Sequence, residues 1–113
     1  MITIYHNNRC SKSREGLEII EQSGKEFQIR EYLKDPLNEA EIGSLLKKLE
    51  MEPVQLIRQN EKLWKEKYKG KDFTPKELIK ILADTPGLIE RPIVEMGEKA
   101  VIGRPLSQIE SLL

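Results

Sequence analysis

One cysteine and one histidine in 113 residues leave this chain few groups for disulfide or metal chemistry. A single thiol cannot close an internal disulfide, and one imidazole beside it falls short of a cysteine-based metal cage. Any redox cycle through Cys10 must therefore borrow a second thiol from another molecule. No apolar run approaches the ~18 residues of a membrane span, and the N-terminus lacks the basic-then-apolar order of a secretory leader. The expectation is a soluble cytoplasmic protein with no membrane association. Nineteen basic residues balance nineteen acidic ones, so no global field draws the chain to nucleic acid or to an anionic membrane. Charge must act locally. No internal repeat, low-complexity segment or linker is present, and the length fits one domain with one core.

What is present is concentrated near the start. The stretch His6-Asn7-Asn8-Arg9-Cys10-Ser11-Lys12-Ser13-Arg14 holds both scarce residues and follows the strand-like run Ile2-Thr3-Ile4-Tyr5. After it, Leu17, Ile19 and Ile20 recur at helical spacing, with Ser11 as the expected N-cap and Gly24 as the stop. A helix start presents unpaired backbone N–H groups, and a thiol placed there is pushed toward thiolate. Arg9, Lys12 and Arg14 add positive charge, which makes this an anion-binding nucleophile loop. His6 either lowers the thiol pKa as a nearby cation or closes the strand with a satisfied hydrogen bond. Lys12 and Arg14 either assist the anion or solvate the helix start.

Further along, Phe27, Ile29 and Tyr32 alternate with polar residues as a second strand ending before Asp35-Pro36. Strand, helix and strand make a βαβ crossover, which puts Cys10 at the carboxyl edge of the sheet, where ligands bind. Asn38 caps a helix bearing Ile42, Leu45, Leu46 and Leu49, and Thr74-Pro75-Lys76-Glu77 is a capping box opening another. Between them, Val54, Leu56 and Ile57, then Leu63, Trp64 and Tyr68, fit no clear period; Trp64 is read as packing within this helical region. Two short strands around Met96-Gly97-Glu98-Lys99 form a hairpin, and Leu106, Ile109, Leu112 and Leu113 suit a short closing helix.

Taken together, His6-Asn7-x-x-Cys10-x-x-Ser13-Arg14, Leu56-Ile57-Arg58, Glu90-Arg91-Pro92-Ile93-Val94 and Ile102-Gly103-Arg104-Pro105 resemble the glutaredoxin-dependent arsenate reductase family, in its short members. The resemblance covers nearly the whole chain. It implies a thioredoxin-like α/β fold with a mixed four-stranded sheet, one domain over residues 1–113 carrying a helical insertion at about 37–89, and a cis Arg91-Pro92 bond facing the Cys10 loop. It also implies roles: Cys10 attacks arsenate, Arg58, Arg91 and Arg104 hold the oxyanion, and Pro92 is structural. His6, Ser13 and Arg14 stand near enough in sequence to assist thiol activation. No cofactor or metal is bound; glutathione is the co-substrate, and glutaredoxin completes reduction to arsenite.

These residue types suit that chemistry, because planar guanidinium forks orient a tetrahedral oxyanion with paired hydrogen bonds while a thiolate attacks pentavalent arsenic. A competing class is a redox-responsive regulator of transcription that binds RNA polymerase, since a related thioredoxin-like branch does so. Its switch is usually Cys-x-x-Cys, and here Ser13 stands where the second cysteine would be. A third class, a thiol oxidoreductase acting on glutathionylated protein, leaves Arg58 and Arg104 unexplained.

Overall fold

The computed structural model describes all residues, 1–113, and divides into two compact units: Met1–Pro36 with Arg91–Leu113, and Leu37–Glu90. The first holds β1 (Ile2–Tyr5), α1 (Ser11–Gln22), β2 (Phe27–Arg30), β3 (Ile93–Met96), β4 (Lys99–Ile102) and the last helix of the chain, α5 (Ser107–Leu112), the three α-helices between α1 and α5 belonging to the other unit. Its sheet runs β2-β1-β3-β4. β1 pairs parallel with β2 and antiparallel with β3, and β3 pairs antiparallel with β4, which gives the mixed four-stranded sheet that was expected.

Period-two alternation decides the faces. Ile2, Ile4 and Val94 point to one side, where Ile20 of α1 and Ile109 of α5 close a core whose members are almost fully buried. Each such side chain contributes about 1.5–3 kcal/mol by leaving water. On the other face Gln28 donates to the Thr3 hydroxyl at 2.9 Å and Tyr5 to the Glu95 carboxylate at 2.8 Å. The hairpin turns on Gly97-Glu98, where Gly97 takes φ 63° and Glu98 does not, the pattern of a type II′ turn.

Two other glycines serve close approach. A Cβ on Gly103 would lie 2.7 Å from Ile109 Cδ1 and 2.9 Å from Pro92 Cγ, and one on Gly16 would lie 2.9 Å from the same isoleucine atom. The bare backbone therefore lets α1, α5 and the start of β3 meet around Pro92. The Arg91-Pro92 bond is cis, as the resemblance implied, and so is Arg104-Pro105, which nothing in the sequence had suggested.

The second unit contains α2 (Glu39–Leu49), a 3₁₀ turn at Pro53–Leu56, α3 (Lys62–Lys67) and α4 (Pro75–Asp84). Both expected caps are present. Asn38 Oδ1 accepts from the Glu41 N–H at 2.8 Å, Thr74 Oγ1 accepts from the Glu77 N–H at 3.2 Å, and each glutamate returns a bond to the cap backbone. Ile42, Leu45, Leu46 and Leu49 of α2 are buried, as are Leu78 and Leu82 of α4. Trp64 is 8% exposed and stacks on Tyr68 at 5.4 Å, with Phe73 tilted against it at 6.4 Å.

Three sequence expectations change locally. Ser11 is the first helical residue of α1 rather than its N-cap; the cap is Cys10, extended at φ −95° and ψ 122°, whose carbonyl already accepts from the Arg14 N–H at 3.0 Å. Tyr32 lies beyond β2, buried in a turn; three residues after Ile29, it is out of phase with the alternation that Phe27 and Ile29 begin. The segment without a clear period is the 3₁₀ turn followed by a lone antiparallel bridge from Ile57 to Ile89.

Candidate active site

Because Cys10 is itself the cap of α1, its sulfur sits nearer the helix start than a residue one place earlier would. The Cys10 N–H donates to the Asn7 carbonyl at 3.0 Å, which turns the chain between β1 and α1. Burial pushes the Cys10 thiol up, but hydrogen bonding from Arg91, the Ser13 backbone N–H, the Arg91 charge and the Lys12 backbone N–H together hold it below the ordinary thiol range. Those two backbone groups act as partial positive charges of the helix start, without closing a short cap hydrogen bond to the sulfur.

Arg104 lies 3.7 Å from the sulfur through Nη2, and its Nε donates to the Arg91 carbonyl oxygen at 2.7 Å. Burial pushes the Arg91 guanidinium down, and its contacts with the Cys10 sulfur and the Tyr32 phenol outweigh that, leaving its pKa above the usual arginine value. Its Nε is buried and has no hydrogen-bond partner within the protein. An unpaired buried donor beside a thiolate costs free energy unless an acceptor is supplied.

His6 and Ser13 form a second layer under the loop. Ser13 Oγ accepts from the Asn7 N–H at 3.0 Å and lies 2.7 Å from His6 Nδ1. Burial lowers the His6 pKa, the nearby Glu31 opposes this, and Arg14 adds to the lowering, so the ring is neutral at pH 7. One proton lies between Ser13 Oγ and His6 Nδ1, and which of the two donates follows the tautomer of the ring. Of the two readings of His6, the satisfied hydrogen bond is therefore the one the geometry carries. Ser13 meets the thiol through its backbone N–H while its hydroxyl serves His6. Arg14 is turned away, donating to the Asn8 carbonyl at 2.9 Å, and Lys12 pairs with Glu15 at 3.4 Å.

Arg58 belongs to the other unit. There it is engaged by Glu61, through Nη1, and by Glu90 at 3.9 Å from Nε. The sequence did not single out these two carboxylates, although Glu61 stands three residues after Arg58 and Glu90 beside Arg91. The role of Tyr32 was not legible for a different reason: its contact with Arg91 spans distant parts of the chain. No three of the histidine, cysteine or carboxylate side chains converge as metal ligands.

Residues 5–112 match the ArsC family. The arsenate reductase of Haemophilus influenzae is 40% identical over 114 residues, covering 99% of this chain and 98% of that one. The uncharacterized protein YfgD of Escherichia coli is 43% identical over 110 residues, 96% of this chain and 92% of its own. Among solved structures, the arsenate reductase of Vibrio cholerae superposes with a TM-score of 0.95 at 37% identity, covering 99% of this chain and 97% of that one. With a thioredoxin-like sheet that matches at this level and a family match spanning nearly its whole length, the chain belongs to the ArsC family of arsenate reductases.

Proposed function

We propose that this protein reduces arsenate, or a closely related tetrahedral oxyanion, through a covalent Cys10–arsenic adduct resolved by glutathione and glutaredoxin. The observation that carries the reading is the Cys10 sulfur at the start of α1, 3.7 Å from Arg104, in contact with Arg91, and beside the buried, unpartnered Arg91 Nε. An oxyanion drawn to this place would accept from that nitrogen and would be held against the nucleophile. The two arginines serve both states: they favour thiolate before attack and offset charge on the oxygens during it.

In the first step the thiolate forms a sulfur–arsenic bond and one arsenate oxygen leaves as water. Glutathione then bonds to arsenic and displaces a second oxygen as water, and a second external thiol attacks the glutathione sulfur, breaking its bond to arsenic and closing a disulfide. Those two thiols together lose two electrons and arsenic gains two; a water then hydrolyses the remaining sulfur–arsenic bond, so that arsenite departs and Cys10 returns as thiolate. The names of the relatives support the oxyanion, and the lone cysteine supports the need for outside thiols. Arg58 is assigned as the third oxyanion ligand on the resemblance of Leu56-Ile57-Arg58. No helix is long and apolar enough to cross a membrane, and a supply of reduced glutathione fits the cytoplasm.

The test is arsenate-dependent NADPH consumption with glutathione, glutaredoxin and glutathione reductase. Wild type is expected to turn over and Cys10→Ser to be inactive. Turnover surviving that substitution would remove the mechanism, and turnover without glutaredoxin would remove the assigned partner.

A further inference from the structure

Within the unit Leu37–Glu90, Arg58 is not an open cation. The bridge between Ile57 and Ile89 aligns two segments so that the Arg58 N–H donates to the Leu88 carbonyl at 2.7 Å and the Glu90 N–H to the Leu56 carbonyl at 2.8 Å. That register sets Glu90 beside the guanidinium. The turn after Arg58, in which the Glu61 N–H donates to the Arg58 carbonyl at 3.1 Å, returns the Glu61 carboxylate onto Nη1 of the same group. Arg58 is 23% exposed, Glu61 37% and Glu90 30%, so all three are partly withdrawn from water. One positive and two negative charges leave this cluster net negative.

We propose that Glu61 is a specificity-determining residue for the oxyanion: its carboxylate occupies Arg58 until a tetrahedral dianion displaces it, while Glu90 continues to hold the guanidinium. This rests on the reading of Arg58 as an oxyanion ligand. A carboxylate offers two oxygens to a guanidinium in the same geometry as an oxyanion does, so the two compete for the same N–H groups. Because the cluster is net negative, an entering anion must outbid a charge-assisted bond and overcome repulsion. A dianion with several strong acceptors can do so; a weakly accepting monoanion such as nitrate gains too little. Glu61 is the exchanging partner because it is the more exposed of the two carboxylates and can turn into water. Glu90, whose main chain is tied across the bridge to Leu56, carries the less exposed carboxylate.

The measurement is calorimetric binding of inorganic phosphate and of nitrate to the intact protein, for wild type, Glu61→Gln, Arg58→Ala and the double variant. Glu61→Gln keeps shape and removes charge. Phosphate affinity is expected to rise by at least about threefold, the worth of one partly exposed ion pair, and nitrate affinity to rise more, narrowing the preference between them. With Arg58 absent, the Glu61 substitution is expected to change nothing. An equal gain in the Arg58→Ala background would reduce the effect to general charge and overturn the proposal, as would phosphate and nitrate affinities in Glu61→Gln equal to wild type. Unchanged phosphate binding in Arg58→Ala would remove Arg58 as a ligand and the proposal with it, while Cys10-dependent turnover would still stand. Failure of arsenate turnover in wild type would instead remove the proposed function, and the binding comparison is read without turnover.

Discussion

Arg104 is fastened to Arg91 by a hydrogen bond from its Nε to the Arg91 carbonyl oxygen at 2.7 Å, while its Nη2 lies 3.7 Å from the Cys10 sulfur. Two residues thirteen positions apart thus form one cationic wall against the nucleophile. Their contact runs through the backbone of one and the side chain of the other, so Arg91 locates Arg104 even when its own guanidinium is altered.

From this wall follows a prediction about thiol ionisation. A depressed thiol pKa keeps Cys10 ionised at pH values where a free cysteine is protonated, so alkylation by iodoacetamide should persist as pH falls below the ordinary thiol range. Arg91→Ala removes the charge and hydrogen bond that favour thiolate, so the alkylation profile should move to higher pH. A profile unchanged by Arg91→Ala would show that the helix start alone activates the sulfur. In turnover, loss of this one anion donor should cost about 10²–10³ in kcat.

The His6–Ser13 pair predicts an acid-sensitive stability. The folded-state pKa of His6 lies below its ordinary 6.5, so in the window just below 6.5 the unfolded chain binds a proton that the folded chain does not. Its stabilising contribution is present above 6.5 and is lost as pH falls through the folded value. His6→Leu should abolish that part of the pH dependence and, by leaving the fully buried Ser13 hydroxyl without its imidazole partner, cost about 1–3 kcal/mol at neutral pH. Urea melts across the acid range would read both; a variant as stable as wild type at pH 7 would remove the bond as a structural tie.

Gly103 and Gly16 should respond differently to alanine. At Gly103 the added methyl meets the rigid Pro92 ring and the buried Ile109, and overpacking there should cost about 1–3 kcal/mol. At Gly16 the same two atoms stand farther off, Ile109 Cδ1 at 2.9 Å and Pro92 Cγ at 3.2 Å, and alanine gains roughly 0.5–1 kcal/mol of helix propensity, which offsets part of the strain. Equal thermal midpoints for the two variants would argue against the close approach around Pro92.

For the second unit, Trp64→Ala should cost about 3–5 kcal/mol, because it empties a buried site and strands Tyr68 and Phe73. Chemical denaturation measures it. A loss under about 1 kcal/mol would mean that the ring contributes little to packing.

Short-range physics made much of this chain legible from its residues. Ile2 to Tyr5 alternate and form β1; Asn38 with Glu41 and Thr74 with Glu77 satisfy helix starts through partners three residues away; Gly97 sits where the hairpin needs positive φ. The loop that carries Cys10 was visible too, since the cysteine lies between a strand run and a helical period. The local charges were misleading: Lys12 turns to Glu15 and Arg14 to Asn8, because short-range partners satisfy them first.

What the sequence alone determined, then, is the order of elements, their caps, and the presence of a single thiol at a helix start, so that a redox cycle through it would need a thiol from another molecule. Tertiary structure decided which groups face that thiol. Arg104 stands 94 positions from Cys10 and meets it only because β4 leaves the sheet at Gly103, close against Pro92. Whether Ser13 offers the sulfur its hydroxyl or its N–H depended on His6 engaging the hydroxyl, and whether Arg58 is open or engaged depended on the bridge that brings Glu90 beside it. Propensity and capping act within one or two turns of chain, whereas these contacts are set by sheet register and close packing, which couple residues without regard to their separation in sequence.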